Sequence, residues 1–282
     1  MTRAVVDAIR AIVPRSARNW LRDPRQTAEW AADSLAFAMG QVSQLEVLPG
    51  WVVQAHPRAV RRAYTSHVVD PAQEAELEAF VRRCRLGMQF LDVGAHFGLF
   101  SLAALHFGGP TARALAVDPS PMAAKMLAIQ SRLNDMEDRL GIVQACVADE
   151  CGRRGMLDTG VIGAGYFVPA DGQRRKGDLS AVEAVTVDEL CRRTGFAPTH
   201  LKIDVEGGEL EVLKGACDVL RRARPELSVE IHNGILRSAG RNPREVVRHL
   251  EDEGYQCDDV QGVGGVDEMT FAREVSRITA HA

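Results

Sequence analysis

The sequence lacks the features that mark several large classes of protein. No apolar run in the 282 residues approaches the roughly 20 residues that cross a bilayer, so no membrane span is predicted. Its six cysteines show no CxxC spacing, which argues against a metal site or a disulfide framework and favours the reducing cytoplasm. The formal net charge is −4, so a general attraction to nucleic acid is not predicted. We therefore expect a cytoplasmic protein with no metal site and no nucleic-acid partner.

The composition, 46% hydrophobic and 26% charged, fits one large α/β domain with an appendage. Arginines alternate with apolar residues at helical intervals near the start of the chain, which predicts a basic amphipathic helical appendage over residues 1–55 and a main domain over residues 56–282. The pattern lacks the apolar core of a secretory signal, so export is not expected. The appendage is expected to pack on the domain or to form a dimer contact, and docking on a membrane surface is the less favoured alternative.

The most informative stretch is MQFLDVGAHFGLFSLAALHFG, residues 88–108. A β-favouring run that contains one acid is followed by two glycines and then by apolar residues at helical spacing. The first glycine is expected to let a ligand lie against the main chain, and the second to let the first helical turn pack close to the sheet. Amides at the start of the helix would face the ligand. The stretch predicts a nucleotide-like cofactor site formed by Asp92, Gly94, Ala95, His96, Phe97 and Gly98.

The glycine spacing narrows the cofactor. Gly94 and Gly98 are four apart, whereas the dinucleotide fingerprint GxGxxG would need glycines where His96 and Leu99 stand. A turn without that spacing suits a cofactor that lacks a pyrophosphate. An NAD(P)-dependent oxidoreductase stays an alternative, as does a tight strand-to-helix connection with no ligand.

A second apolar strand ends in Asp118, which is followed by Pro119. An acid about 20 residues beyond the glycine turn accepts hydrogen bonds from ribose hydroxyls in doubly wound folds. The alternative is that Asp118 caps a helix predicted over residues 121–133. Strands predicted over residues 141–147 and 181–187 would extend the same sheet. Asp149 would then contact an adenine edge or form a simple turn, and the glycine-rich residues 155–180 would form a hairpin or lid, or an ordinary surface excursion.

The motif THLKIDVEGGELEVLKGA, residues 199–216, places acids at the carboxyl end of another strand. Asp204 and Glu206 repel each other unless a cation, a donor or a substrate hydroxyl offsets their charge. Stabilisation by the following helix start is the structural alternative. The next strand ends with Glu230 and His232, which lie two apart and so share a face. A carboxylate and an imidazole beside another acid pair predict a proton-transfer site.

The stretches DVGAHFGLFS, AVDPSP, LKIDVEGGELEVLKGA and SVEIH, in this order and spacing, resemble the FkbM-type family of S-adenosylmethionine-dependent methyltransferases over about residues 60–258. The resemblance implies a doubly wound, Rossmann-like sheet of seven mostly parallel strands with helices on both faces. Residues 255–260 and 269–272 would supply the closing hairpin. His96 stands where family members usually carry asparagine, and Asp118 where they often carry glutamate.

The resemblance also implies the cofactor and its contacts. S-adenosyl-L-methionine would lie with its methionine portion along Gly94, Ala95 and Gly98. Asp118 would bind the ribose, and Asp204 would face the sulfonium and the amino group.

The implied reaction is methylation of a hydroxyl group on a sugar, a glycan, a polyketide or another natural product. His232 is predicted to be the general base, with Glu230 or Glu206 orienting it or the substrate. The partner is therefore a hydroxyl-bearing acceptor, and a homo-oligomer is left open. A non-catalytic module that retains the cofactor pocket is the remaining alternative.

Overall fold

A computed structural model describes residues 24–158, 165–167, 179–256, 259–262 and 268–273. No helix in these ranges is both long enough and apolar enough to cross a membrane. The strands, in chain order, are β1 (Ser43–Leu48), β2 (Trp51–Ala55), β3 (Gln89–Val93), β4 (Arg113–Val117), β5 (Leu140–Val143), β6 (Cys146–Val147), β7 (Gly152–Asp158), β8 (Gly165–Phe167), β9 (Leu179–Val185), β10 (His200–Ile203), β11 (Glu226–His232), β12 (Asp259–Gly262) and β13 (Glu268–Arg273).

The helices begin where local capping groups allow. Ser120 accepts a hydrogen bond from the Ala123 amide and starts the helix that the sequence predicts at residue 121. Two π-helical turns, Val60–Tyr64 and Val219–Ala223, interrupt the α-helical set. The α-helices are α1 (Pro24–Ala38), α2 (Pro57–Ala59), α3 (Ser66–Val69), α4 (Pro71–Arg83), α5 (Leu99–Phe107), α6 (Pro121–Leu133), α7 (Val187–Thr194), α8 (Glu209–Lys214), α9 (Asn233–Ser238) and α10 (Arg244–Asp252).

The central sheet has the spatial order β12, β13, β11, β10, β3, β4, β5. The five strands from β11 to β5 run parallel to one another. β12 and β13 form an antiparallel hairpin at the edge, with β13 paired to β11. The α/β class is confirmed. The closing hairpin is present, but its first strand begins at Asp259 rather than at residue 255.

Strand order reverses between β3 and β10. From β3 the chain continues outward to β4 and β5, whereas from β10 it continues to β11 on the other side. The Asp204 amide donates to the Val93 carbonyl at 2.9 Å, so the ends of the two strands are joined. Ligands in open α/β sheets bind at such a switch point, beyond the carboxyl ends of the strands. The glycine turn and the acid-rich motif, which are distant in sequence, meet there.

Alternate residues of β3 face two separate cores. Phe90 belongs to a core on one face of the sheet, together with residues of α5 and α6. Leu91 and Val93 belong to a second core on the other face, together with residues of α7 and α8. A strand buried on both faces reads as a near-continuous apolar run. The predicted arrangement of helices on both faces is therefore confirmed.

The prediction that residues 141–147 and 181–187 extend the central sheet is confirmed for residues 141–143, which lie in β5, and is wrong for the rest. β5 stops at Val143 because its neighbour β4 ends opposite it, at Val117. The chain then enters a separate four-stranded sheet of order β6, β9, β7, β8. The antiparallel pair β7 and β8 supplies the hairpin predicted within residues 155–180. Residues 159–164 and 168–178 lie outside the described residues.

The prediction of a wholly helical appendage over residues 1–55 is also wrong in its last part. β1 and β2 form an antiparallel hairpin. β2 alternates buried and exposed side chains, and Trp51, Val53 and Ala55 join the first core. This period of two fits a strand rather than a helix. Residues 1–23, which carry the basic amphipathic pattern, lie outside the described residues, and the domain boundary stays a prediction.

Candidate active site

The glycine turn begins where two strand ends press together. Gly94 has a φ of +85°, and a Cβ placed there would lie 1.7 Å from the Asp204 carbonyl oxygen. Only glycine fits this position, because the backbone angle is left-handed and the space belongs to a neighbouring main chain. The main chain of residue 204 fills the space of the missing side chain, and Gly94 also lines the cavity described below, so contact between its main chain and a ligand stays a prediction.

The second glycine has a similar cause and a different neighbour. Gly98 has a φ of +82°, and a Cβ there would lie 2.3 Å from Cδ2 of Leu127 in α6. The sequence predicted that this glycine brings the start of α5 close to the sheet. The structure shows that it brings the start of α5 close to α6. Two helices on one face can approach there without a side chain between them.

Amides of the turn are committed to protein acceptors. Those of Gly94 and Ala95 donate to the Val117 carbonyl, and the His96 amide donates to Oδ2 of Asp118 at 2.9 Å. These amides hold the turn against the end of β4. Contacts to a ligand are therefore left to the other groups of residues 94–100, which line the cavity described below.

The His96 side chain is held neutral against the turn. It has a φ of +49°, its ring stacks on Phe97 with centroids 4.1 Å apart, and burial lowers its pKa to about 4. The buried Nε2 atom has no hydrogen-bond partner in the described part of the chain. Asparagine, the usual family residue, also tolerates this backbone angle. A buried polar atom without a partner at the wall of a cavity suits a ligand contact.

Asp118 is gripped at both carboxylate oxygens. Oδ2 accepts from His96, and Oδ1 accepts from the Ser120 amide at 2.8 Å. Burial raises its pKa to about 7, although both amide bonds oppose that change. The alternative role as helix cap is wrong, because Ser120 caps α6. Each oxygen keeps a further lone pair for a ligand hydroxyl.

Asp92 lies below the turn, on the same face as α5. Its Oδ2 accepts a hydrogen bond from the Ser101 hydroxyl at 2.6 Å, and burial raises its pKa to about 6. Asp92 also lines the cavity. Its hydrogen bond to Ser101 joins β3 to α5, so Asp92 has a structural role.

A buried lysine balances the acids on the β10 side. Lys202 Nζ lies 3.0 Å from Oδ2 of Asp204, and 3.9 Å from both Glu76 and Glu230. It also lies 4.5 Å above the Phe100 ring. Burial alone would lower the pKa of Lys202, but the carboxylates outweigh burial and raise it. Lys202 therefore forms an ion pair with Asp204, and its ammonium stays charged.

Four side chains form what we call the acid–histidine cluster: Asp204, Glu206, Glu230 and His232. His232 is 4% exposed, and its Nε2 lies 3.6 Å from Asp204, 3.7 Å from Glu230 and 4.0 Å from Glu206. Burial alone would lower the pKa of His232, but a hydrogen bond to Glu209 and the cluster carboxylates raise it to about 9. The ring is therefore protonated at neutral pH in this structure.

The two central acids of the cluster, Asp204 and Glu230, have pKa values shifted in opposite directions. Burial alone would raise the pKa of Asp204, but Lys202 and His232 outweigh burial and hold it below its ordinary value. Burial and the nearby Asp204 charge raise the pKa of Glu230 well above its ordinary value. The two acids therefore behave as a pair in which one is ionised and the other retains its proton.

Glu209 was not singled out as a site residue, although it positions His232. It is fully buried, and its Oε1 contacts Nδ1 of His232 at 2.8 Å and accepts from the Gly207 amide at 2.8 Å. The only signal for it in the sequence was its place in the first turn of the helix after the glycine pair. Glu206, just before that turn, has a φ of +54°.

One cavity of about 160 Å³ joins the two motifs. Its wall includes residues 94–100 of the glycine turn as well as Lys202, Asp204 and Glu230. The predicted site residues that do not line this cavity are Asp118, Pro119, Asp149, Glu206 and His232, and Asp149 instead pairs with Arg154 at 2.9 Å. The segment before the sheet supplies lining residues that no sequence motif indicated: Ala63, Tyr64, His67, Gln73 and Glu76.

Comparison with protein families decides the identity of the domain. Residues 92–257, more than half of the chain, match the model of the methyltransferase FkbM domain. The chain belongs to the FkbM methyltransferase family. This confirms the predicted family and, with it, S-adenosyl-L-methionine as the cofactor. The oxidoreductase alternative has no support from the family match.

Solved structures similar to this FkbM methyltransferase are distant in sequence. An FkbM methyltransferase from Methylobacillus flagellatus KT is 16% identical with a TM-score of 0.47, and the match covers 76% of this chain and 54% of that one. The chain thus spans about half the length of that protein. A fibrillarin from Aeropyrum pernix, in complex with natively bound S-adenosyl-L-methionine, is 14% identical with a TM-score of 0.46, covering 83% and 94% of the two chains. No curated protein matches the chain.

Proposed function

We propose that this FkbM methyltransferase methylates a hydroxyl group of a sugar, a glycan or another natural-product small molecule. The observation that supports the proposal most is the cavity lined by the glycine turn and by Asp204 and Glu230 of the acid–histidine cluster. A cofactor and an acceptor that both reach into this cavity would bring their reacting groups together. Reacting groups held in one orientation gain much of their rate from proximity.

The cofactor wall offers groups that fit S-adenosyl-L-methionine. The bound cofactor supplies a methyl group activated by the positive charge on its sulfur. We assign the ribose hydroxyls to Asp118, whose two oxygens each keep a free lone pair. Nε2 of His96 takes a second polar contact, and Asp204 faces the positive charge. Ala95 and Phe97 complete this wall.

The acceptor wall has groups that can manage a proton. A hydroxyl is a poor nucleophile at neutral pH, and a general base contributes about 10²- to 10⁴-fold. His232 is the predicted base, with Glu230 and Glu206 beside it. The ring can accept a proton only after it has lost the one on Nε2. Positive charge brought near Asp204 favours that loss, because it weakens the attraction that the carboxylates exert on the imidazolium.

Labelled methyl transfer into a panel of hydroxylated metabolites tests the function. The wild type is expected to label a hydroxyl-bearing acceptor, and His232→Ala to lose about 10²-fold or more of the turnover. Its affinity for S-adenosylhomocysteine, measured by calorimetry, is expected to stay within a few-fold of wild type. The matched control is His200→Ala, at the opposite end of the neighbouring strand, where the ring faces Glu226. Unchanged turnover in His232→Ala would remove this residue from the mechanism.

The remaining sequence-based expectations stay predictions. They are a location in the cytoplasm and a small-molecule or glycan partner rather than a nucleic acid, and the oligomeric state is left open. A chain that binds the cofactor but labels no acceptor in any panel would instead support the non-catalytic alternative.

A further inference from the structure

The two central acids of the cluster each present one oxygen to a cation and the other to His232. Oδ2 of Asp204 and Oε2 of Glu230 face Lys202 Nζ, at 3.0 and 3.9 Å. Oδ1 of Asp204 and Oε1 of Glu230 face Nε2 of His232, at 3.6 and 3.7 Å. Lys202 therefore balances only one edge of this pair, and the other edge opens on a second position.

That second position is bounded by carboxylate oxygens that lie beyond hydrogen-bond reach of His232 Nε2. The three distances from His232 Nε2, the longest being 4.0 Å to Glu206, all exceed the reach of a hydrogen bond. The imidazole is nonetheless 4% exposed, so a polar ring atom on a buried side chain points into a group of carboxylates. One atom from each of Asp204, Glu230 and His232 lies within 4.8 Å of the others. Ligands about 2.1 Å from one ion stand roughly 3 Å apart, so a small inward shift would suffice.

The other side of the ring is built as in a metal site. Nδ1 of His232 contacts the buried Glu209 carboxylate at 2.8 Å, and the Gly207 amide holds the same oxygen. A histidine that ligates a metal nearly always donates its second ring N–H to such a carboxylate, which fixes the tautomer. With the Nδ1 proton committed to Glu209, a cation would displace the proton on Nε2 and take up its lone pair.

We propose that Asp204, Glu230 and His232 bind a divalent cation, with Glu206 as a fourth ligand. Oxygen ligands with one imidazole suit Mn²⁺, and Zn²⁺ is the chief competitor. The sequence predicted no metal site, because the acids and the histidine come from two separate motifs. The role that we assign to the cation rests on the proposed function. The cation would attract the acceptor oxygen and ease loss of the hydroxyl proton. His232 then acts as a ligand, and the proton passes to the carboxylate oxygen of Glu206 that does not bind the cation, since Glu206 is the most accessible of the three acids.

Titration of Mn²⁺ alone into the full chain, stripped beforehand with a chelator, tests the site without any turnover. Electron paramagnetic resonance counts free and bound Mn²⁺, and one ion per chain is expected. Glu230→Gln and His232→Gln are expected to weaken binding by about 10-fold or more. Glu206→Gln, at a partly exposed position, is expected to weaken it less and guards against a variant that fails to fold. The matched control is Glu226→Gln, the same substitution at the other end of β11, beside Arg83.

The outcomes separate the cation from the proposed function. Absence of bound Mn²⁺ in the wild type, or binding that survives both Glu230→Gln and His232→Gln, overturns the cation site. Methyl transfer to a hydroxyl that persists in the chelator then leaves the proposed function standing, with His232 as base. Stoichiometric Mn²⁺ lost in the two variants supports the site, even if no hydroxyl acceptor is ever labelled.

Discussion

At the scale of single residues, the clearest steric requirement lies where Gly94 meets the Asp204 carbonyl, a contact that we call the seam. Gly94→Ala places a methyl group against the Asp204 carbonyl and forces alanine into a left-handed backbone. The backbone term alone costs about 1–2 kcal/mol, and the overlap adds to it. We expect the free energy of unfolding, measured in urea, to fall by more than about 3 kcal/mol.

Gly40→Ala is the matched control for this substitution. Gly40 has nearly the same φ, +87°, but nothing lies within 4 Å of the Cβ that would be added. It should lose only the backbone term. Equal losses in the two variants would show that the seam is not tight.

Asp118 is the residue on which cofactor affinity should depend. Asp118→Ala is expected to weaken binding of S-adenosylhomocysteine by about 10-fold, because one or two bonds to ribose are lost. With a pKa of about 7, wild-type Asp118 loses its proton as the pH rises through 7, and its carboxylate then accepts both hydroxyls. Calorimetry at pH 6 and pH 8 should therefore show affinity rising with pH in the wild type, and no such rise in the variant.

Asp188→Ala controls for the loss of a carboxylate that binds backbone amides. Asp188 accepts from the amides of Asp218 and Val219, at 3.0 and 2.9 Å, on the opposite face of the sheet. Cofactor affinity should not change in this variant. A loss equal to that of Asp118→Ala would mean that Asp118 acts only through the fold.

At the scale of elements, the helical segment before the sheet braces the glycine turn. The Tyr64 hydroxyl, fully buried, donates to the Phe97 carbonyl at 2.7 Å. Tyr64→Phe leaves that carbonyl without a partner and should cost about 1–2 kcal/mol in unfolding free energy. We also expect weaker S-adenosylhomocysteine binding by calorimetry, because the turn is less firmly held.

Tyr255→Phe offers a comparison at equal chemistry. Its buried hydroxyl donates to the Leu220 carbonyl at 3.3 Å, in the core on the other face. Its loss should lower stability without lowering cofactor affinity. If both variants weaken binding alike, the brace on the turn has no special role.

Elements with a regular pattern were predictable from the sequence, and those defined by partners were not. The run before Gly94 and the helix after Ser120 have the right period and caps, so both were found. Nothing local could show that β5 ends at Val143, because that end is set by the length of its neighbour. The acids of residues 204 and 230 were found as strand ends, whereas Glu76 reaches the cavity from α4, through packing alone.

At the scale of the whole molecule, ligand binding should raise stability by mass action. S-adenosylhomocysteine at 100 times its dissociation constant stabilises the native state by about 2.7 kcal/mol. A thermal-shift experiment should therefore show a clear rise in Tm with this ligand. No rise is expected with NAD or NADP, because the chain lacks the glycine turn that binds their pyrophosphate. A rise with NAD alone would contradict the family-based account of the pocket.

The seam at Gly94 also bears on recombination between relatives. The space that a side chain at Gly94 would occupy is filled by the main chain of Asp204, so the conformations of the two motifs depend on each other. A chimaera that takes residues 88–108 from one parent and residues 199–216 from another must match two backbones at a contact with no slack. Chimaeras that keep both stretches from one parent, and take only residues 57–83 from the other, should fold far more often.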